Sequence, residues 1–268
     1  MTATSDAGPR RRRTDEQRWW QSAPWWAAII AAVMVYMSAR IIVDDDYRLA
    51  FTRIWPGVGI TIQATLASFV VASIIGLMAG LGQLSSNVAI RNLARAYVEI
   101  VRGIPMLALL FTVALVVVPQ VTEALGVANR VSSFWRAVLA LALIYGAYMA
   151  EIFRGGIQAV PRGQVEAGRS LGLSPRATMR SVVFPQAFRA IIPPIGNDFI
   201  AILKDTSLLS VLGILELTRN ARQFTASTFK FPAGLFTLSF IYLVLVIALS
   251  LILRWVERWF TPYDEGAR

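Results

Sequence analysis

Glu166-Ala167-Gly168-Arg169-Ser170-Leu171-Gly172 is a charged run bearing two glycines, and Val182-x-Phe184-Pro185 follows it after nine residues. Pro161 and Gly163 precede it as punctuation, and the residues from Gln164 to Leu171 suit a helix of about two turns. Gly172 suits the left-handed position that stops a helix, and Ser174-Pro175 then reads as the cap and first residue of the next one. A helix this short is not stable alone in water, so it has to pack on something. Ala167 and Gly168 are small enough to let another surface approach the backbone. Glu166 offers a charge to a basic or hydrogen-bonding partner, and Leu171 an apolar knob.

What surrounds this segment is very different. Of the 268 residues, 56% are hydrophobic, and the mean hydropathy is +0.57. A soluble domain of this size seldom reaches that, whereas a bundle of membrane helices does. Six stretches approach the roughly 20 apolar residues that a crossing helix needs. They are Pro24 to Val43, Val58 to Gly82, Val98 to Val118, Phe134 to Phe153, Ile191 to Leu212 and Ala233 to Trp255. The expectation is therefore an all-α membrane protein of about six transmembrane helices. Gly76, Gly80 and Gly82 in the second stretch read as close-packing positions. The first stretch follows Arg10 to Arg13, but it lacks a good cleavage site and reads as a retained helix.

Absences narrow the chemistry. The chain has neither Cys nor His, which removes disulfides, thiol chemistry and His-based catalysis. It has no phosphate-binding G-x-x-x-x-G-K-[ST] loop, because neither Lys204 nor Lys230 follows a glycine. No ATPase, metalloprotease or nucleophile-elbow pattern is present, so an enzyme is not expected. The net charge of +10 lies in short arginine-rich segments between apolar stretches, which excludes a nucleic-acid reading.

Those arginines orient the chain. Arg10 to Arg13 and Arg18, Arg91 and Arg95, the six arginines from Arg154 to Arg189, and Arg254 and Arg258 all fall on one side if both termini are cytoplasmic. That puts Glu166 in the cytoplasm. Asp44, Asp45 and Asp46 then lie outside. The loop with Arg219, Arg222 and Lys230 also lies outside and disagrees with the rule. The expected division is a disordered basic tail at 1–23, an N-terminal helix and acidic external loop at 24–56, a core at 57–260 with a cytoplasmic loop at about 155–190, and a short tail at 261–268.

Polar groups at bilayer depth are costly and mark pathways or partners. In the fifth stretch Asn197 and Lys204 share a helical face, and Asp198 and Asp205 form an adjacent pair. These four are candidates for a translocation path, with Thr61 and Thr65 of the second stretch as further candidates. Glu99 and Arg102, and likewise Glu151 and Arg154, are spaced for ion pairs on one helix.

The pattern E-A-G-x-x-x-G, nine residues, V-x-F-P resembles the "EAA loop" of the permease subunits of binding-protein-dependent ABC importers. Arg102-Gly103-Ile104-Pro105, Glu151-x-x-Arg154-Gly155-Gly156, Pro193-Pro194-x-Gly196-Asn197 and Leu203-Lys204-Asp205-Thr206-Ser207-Leu208 resemble the polar amino acid subfamily. The departures are Gly168 for a second Ala, Val182 for Ile and Phe184 for Leu. The resemblance implies a type I importer core of five helices plus one N-terminal helix, in the inner membrane among its lipids. It implies that Glu166, Ala167, Gly168, Leu171, Gly172 and Pro185 couple to a separate ABC ATPase. That partner would hold the ATP and magnesium, while this chain binds no cofactor and no metal. A second permease subunit and an extracytoplasmic amino acid-binding protein complete the implied complex. The alternative reading is an ion- or proton-coupled secondary transporter, with Asp198 or Asp205 carrying the proton. A third is a non-transporting membrane scaffold.

Overall fold

The computed structural model describes residues 25–127 and 131–260. The expectations for the two tails fall outside the described residues. Among the described residues every regular element is helical.

Helix α1 (Trp25–Val43) is followed at once by a short helix, α2 (Asp45–Ile54). The expected acidic loop is thus a helix start. Asp44 caps it by accepting from the Asp46 amide at 2.9 Å, and Asp45 and Asp46 sit in the first turn, where the helix dipole favours negative charge. Helix α3 (Gly57–Gln83) and helix α4 (Val88–Gly103) come next. The third expected span, Val98 to Val118, is not one helix. Proline at 105 bars the α conformation for Ile104, which is extended (φ −102°, ψ 137°). The chain therefore stops α4 there and restarts as α5 (Met106–Thr112). Arg91 and Arg95 accordingly lie on α4 rather than in a loop.

After α5 comes a π-helical turn (Val113–Val117), then α6 (Val118–Ala124) and α7 (Ser133–Gln158). Helices α8 (Arg162–Ser170) and α9 (Pro175–Thr178), a second π-helical turn (Met179–Val183) and α10 (Phe184–Asp205) follow. A 3₁₀ segment (Thr206–Leu212), α11 (Leu217–Thr228) and α12 (Phe231–Phe260) complete the described chain. The fifth expected span therefore begins earlier than Ile191, and it changes to 3₁₀ geometry at Thr206. Pro193 and Pro194 lie inside α10 without breaking it.

Both π-helical turns have the same cause. Proline has no N–H and its ring crowds the carbonyl four residues back, so an α-helix cannot run through it unaltered. Pro119 and Pro185 each follow a π turn by two residues. The wider turn closes with the Val118 amide on the Val113 carbonyl, and the Phe184 amide on the Met179 carbonyl.

Five segments are long and apolar enough to cross a membrane: Trp25–Val43, Asp45–Gln83, Met106–Ala124, Ser133–Gln158 and Phe231–Phe260. The charges on α10 keep it out of that set, yet it packs along α7 as a sixth long helix. The centre of the bundle is the α3–α7 pair, which runs parallel. Ser68 of α3 donates to the Val138 carbonyl, and a side chain added at Gly76 would come within 2.6 Å of the Met149 Cβ. The glycine reading of α3 as a close-packing face holds at Gly76 and Gly80, which are buried against α7.

At the α3 N-terminus a second cluster joins α1, α2, α11 and α12 through Met37, Tyr47, Ile54, Leu217, Phe224 and Ile241. A Cβ on Gly57 would come within 2.6 Å of the Leu217 amide nitrogen, so only glycine lets α3 begin against α11. Helix α8 follows the far end of α7. The α2–α11 cap and α8 therefore stand at opposite ends of the bundle.

Candidate coupling and translocation sites

The coupling segment has the expected form, moved by one or two residues. Helix α8 ends at Ser170, and Gly172 is left-handed at φ +84°. The Gly172 amide donates to the Arg169 carbonyl at 2.9 Å and the Leu173 amide to the Gly168 carbonyl at 3.2 Å. That pair of bonds is the Schellman stop. Ser174 then caps α9 through the Ala177 amide at 3.3 Å, with Pro175 in its first turn.

The helix is seated on one side only. Val165 packs on a cluster of Val160, Val183, Ala187 and Ile191. Gln186 of α10 donates to the Gln164 side chain at 2.5 Å. Gly168 is the buried residue of α8, and a methyl there would meet Val182, Leu173 and Thr178 at ordinary contact distances of 3.4 to 3.5 Å. Glu166, Ala167, Gly172 and Pro185 are exposed, and Leu171 keeps 85% of its surface open.

The polar residues of α10 divide into two faces. Asn197 and Lys204 are exposed together. Asp198 and Asp205 turn toward α7, where Tyr145 donates its hydroxyl to Asp205 Oδ2 at 2.6 Å. Asp198 Oδ2 is enclosed and has no hydrogen-bond partner among the described residues. Tyr145, Tyr148 and Glu151 stand three residues apart along α7 and so share a face. The Tyr145 and Tyr148 rings are 5.9 Å apart, and the Arg102 guanidinium lies 5.8 Å from the Tyr148 ring. Glu151 binds Arg154 at 2.5 Å, as its spacing suggested. Arg102, by contrast, does not pair with Glu99. It reaches across to Glu151 at 3.8 Å. A polar seam thus follows the α7 face from Asp205 to Arg154.

Thr61 and Thr65 are elsewhere. Both are buried, Thr65 donates to the Thr61 carbonyl at 2.7 Å, and the Thr61 hydroxyl accepts from the Leu217 amide at 3.3 Å. Thr61 joins α3 to α11, whereas Thr65 lines a space with Phe199 and Leu203 of α10.

Three features were not singled out from sequence. Tyr145 is one. Its position, three residues before Tyr148 and six before Glu151, was the available signal. Glu216 is another. It is fully buried and caps α11 by accepting from the Thr218 and Arg219 amides, each at 2.7 Å, with Tyr242 donating at 3.1 Å. Burial pushes its carboxyl up from the ordinary value, and these hydrogen bonds oppose the shift. The third is the ion pair of Lys230 with Asp46 at 2.5 Å. It accounts for one charge of the loop that broke the orientation rule, because that lysine meets an acid on its own side.

A family model described as "Binding-protein-dependent transport system inner membrane component" matches residues 72–262. The chain belongs to this family. Its L-cystine transport system permease relative from Bacillus subtilis (strain 168), TcyB, is 36% identical over 209 residues, covering 76% of this chain and 86% of the relative. The glutamine transport system permease GlnP of Escherichia coli (strain K12) is 32% identical, covering 78% of this chain and 96% of its own. The crystal structure of an amino acid ABC transporter with histidines superposes with a TM-score of 0.69 at 34% identity, over 77% of this chain and 94% of that one. The MetNI methionine ABC transporter in an inward-facing form shares the fold, with a TM-score of 0.64 at 21% identity, over 78% and 96% of the two chains. This chain is therefore a permease subunit of the amino acid ABC importer family, with the type I fold and an inner-membrane place. Family membership implies an ATPase partner and a substrate-binding partner.

Proposed function

We propose that this permease moves a polar amino acid into the cytoplasm along the α7–α10 seam, driven by a separate ATPase that grips α8. The observation that carries the coupling half is Leu171. An apolar side chain left 85% exposed beside a left-handed glycine, on a helix braced from one side, is a surface made to be covered. Glu166, Ala167, Gly168, Leu171, Gly172 and Pro185 would form the contact. The ATPase would hold ATP and magnesium, and this chain would hydrolyse nothing.

Charge supports the path. Asp198 and Asp205 suit an α-amino group, and Arg102 or Lys204 an α-carboxylate. A second permease subunit, identical or paralogous, would cover the exposed Asn197–Lys204 face. ATP-driven closure of the ATPases would then rock two packed bundles between outward- and inward-open states. The arginines at the α8 end of the bundle support cytoplasmic termini. Relatives named for amino acid transport support the cargo class, and none of them favours ion-coupled transport.

The test is uptake in proteoliposomes containing the chain with its co-purified subunits. Amino acid uptake that needs internal ATP and survives an ionophore is expected. ATP-independent, ionophore-sensitive uptake would replace this reading with the secondary transporter. A pull-down in mild detergent that recovers the chain without an ATPase would remove the coupling half.

A further inference from the structure

A notch of about 400 Å³ opens between α2 and α11 at the end of the bundle opposite the coupling helix. Its polar lining comes from Arg53 of α2 and from Asn220, Gln223, Ser227 and Thr228 of α11, over a floor of buried Phe224. No acid lines it. Among the described residues, Arg53, Asn220 and Gln223 make no side-chain hydrogen bond or ion pair. The two hydroxyls donate to the Phe224 carbonyl, at 3.1 Å and 2.8 Å, and the Thr228 oxygen also accepts from the Lys230 amide at 3.3 Å.

The surrounding charges sharpen this. The three neighbouring acids are each taken. Asp44 pairs with Arg40 at 2.8 Å, Asp45 with Arg48 at 3.0 Å and Asp46 with Lys230 at 2.5 Å. What remains unpaired around the notch is cationic: Arg53 within it, and Arg222 exposed on the same helix as its far wall. A guanidinium and two primary amides lining a space roomy enough for an inserted side chain, with no acid in its lining, form a receptor for a carboxylate.

The notch is also rigid. Glu216 caps the start of α11, Thr61 holds the Leu217 amide, and Phe229 closes the far end in a left-handed conformation at φ 58°. The Asp46–Lys230 pair ties the end of α11 back to the start of α2. Through the 3₁₀ segment and Gly213, α11 continues directly from Asp205 at the end of the polar seam. A load placed on α11 would reach α10 by that route.

We propose that this notch is an anchor point for the extracytoplasmic binding protein, which inserts an Asp or Glu side chain between α2 and α11. The proposal rests on the binding-protein dependence of the importer and adds where and by what chemistry the docking is made. A single buried carboxylate–arginine contact is the kind of hot spot that centres a wider, weaker interface.

The experiment uses the complete complex in nanodiscs and the substrate-loaded binding protein of the same importer, with affinity measured at low and high salt. Arg53→Glu is expected to weaken binding at least tenfold at low salt and to flatten the salt dependence. Arg53→Lys keeps part of the affinity, having the charge without the planar fork. Asn220→Ala with Gln223→Ala weakens binding several-fold. Arg48→Glu, a reversal at the same end but away from the notch, leaves affinity within twofold. Co-purification of the ATPase reports that each variant is assembled. Arg53→Glu binding within twofold of the parent, or Arg48→Glu weakening it as much as Arg53→Glu, overturns the notch while leaving the importer reading intact. No binding by the unaltered complex would remove the binding-protein reading itself.

Discussion

The two ends of this bundle solve opposite problems with similar pieces. Each has a short amphipathic helix that ends in a left-handed stop. At the α2–α11 end the helix is held at several points by its own chain: a buried Glu216 at its start, Thr61 and Gly57 beneath it, Tyr242 beside it and an ion pair across its end. At the other end α8 rests on Val165 and a glutamine contact, and presents Leu171 outward. One helix is braced mainly by its own chain, and on the proposed coupling the other is braced by a different one. A short helix draws its stability from packing rather than from propensity. How much packing a chain supplies therefore shows which helices serve its own architecture and which await a partner.

Substitutions can break that contrast. The largest effect is expected from Gly172→Val. A β-branched residue at φ +84° is strained by roughly 1–2 kcal/mol or more, and the stop of α8 would rearrange. Uptake should fall to background and ATPase association should weaken, while membrane insertion, read by protease protection, is unchanged. Normal uptake would mean the coupling geometry tolerates another stop.

Gly57→Ala should act in the reverse sense. A methyl group forced against the Leu217 backbone costs about 1–3 kcal/mol of overpacking. The complex should unfold at a lower temperature in detergent yet still bring down its ATPase. Loss of the ATPase from a correctly inserted protein would show that the two ends are not separate.

Leu171→Ala sharpens the inner side. It should weaken ATPase association about tenfold, roughly 1.4 kcal/mol, measured by titration of the ATPase onto the permease in nanodiscs. The melting temperature of the permease alone should not move, because the side chain touches little of its own chain.

Lys230→Met should have the smallest effect. A partly exposed ion pair contributes less than about 1 kcal/mol, so thermal stability should drop by a few degrees at most and the drop should shrink in high salt. A large, salt-independent loss would make the pair a structural pivot.

Much of this was readable from residue pattern. Long apolar runs marked the crossing helices, because the membrane leaves few alternatives to an internally bonded helix. Gly172 and Ser174-Pro175 marked the coupling turn, because helix stops and caps are local chemistry. Errors arose where a local rule lost to averaging. Proline at 105 was visible, yet the apolar run through it was read as one span, and the break at Ile104 separates α4 from α5. The site was less legible than the fold. Asp205 and Tyr145 lie 60 residues apart and meet only when α7 and α10 pack, and Asp46 and Lys230 meet only when α2 and α11 do. A hydroxyl at bilayer depth carries no mark of which neighbour takes it, and the neighbour of Thr61 is the Leu217 amide, 156 residues away.

The two wide turns before Pro119 and Pro185 carry a further consequence. Each winds one extra residue into its helix, and one residue corresponds to about 100° of rotation for everything beyond it. The turn at Met179–Val183 therefore works as a phase setter for α10. It fixes that Asp198 and Asp205 look at α7 while Asn197 and Lys204 look away. An ordinary α turn made from the same residues there would leave the composition, the hydropathy and the length of α10 untouched. It would also turn the whole acidic row out of the bundle.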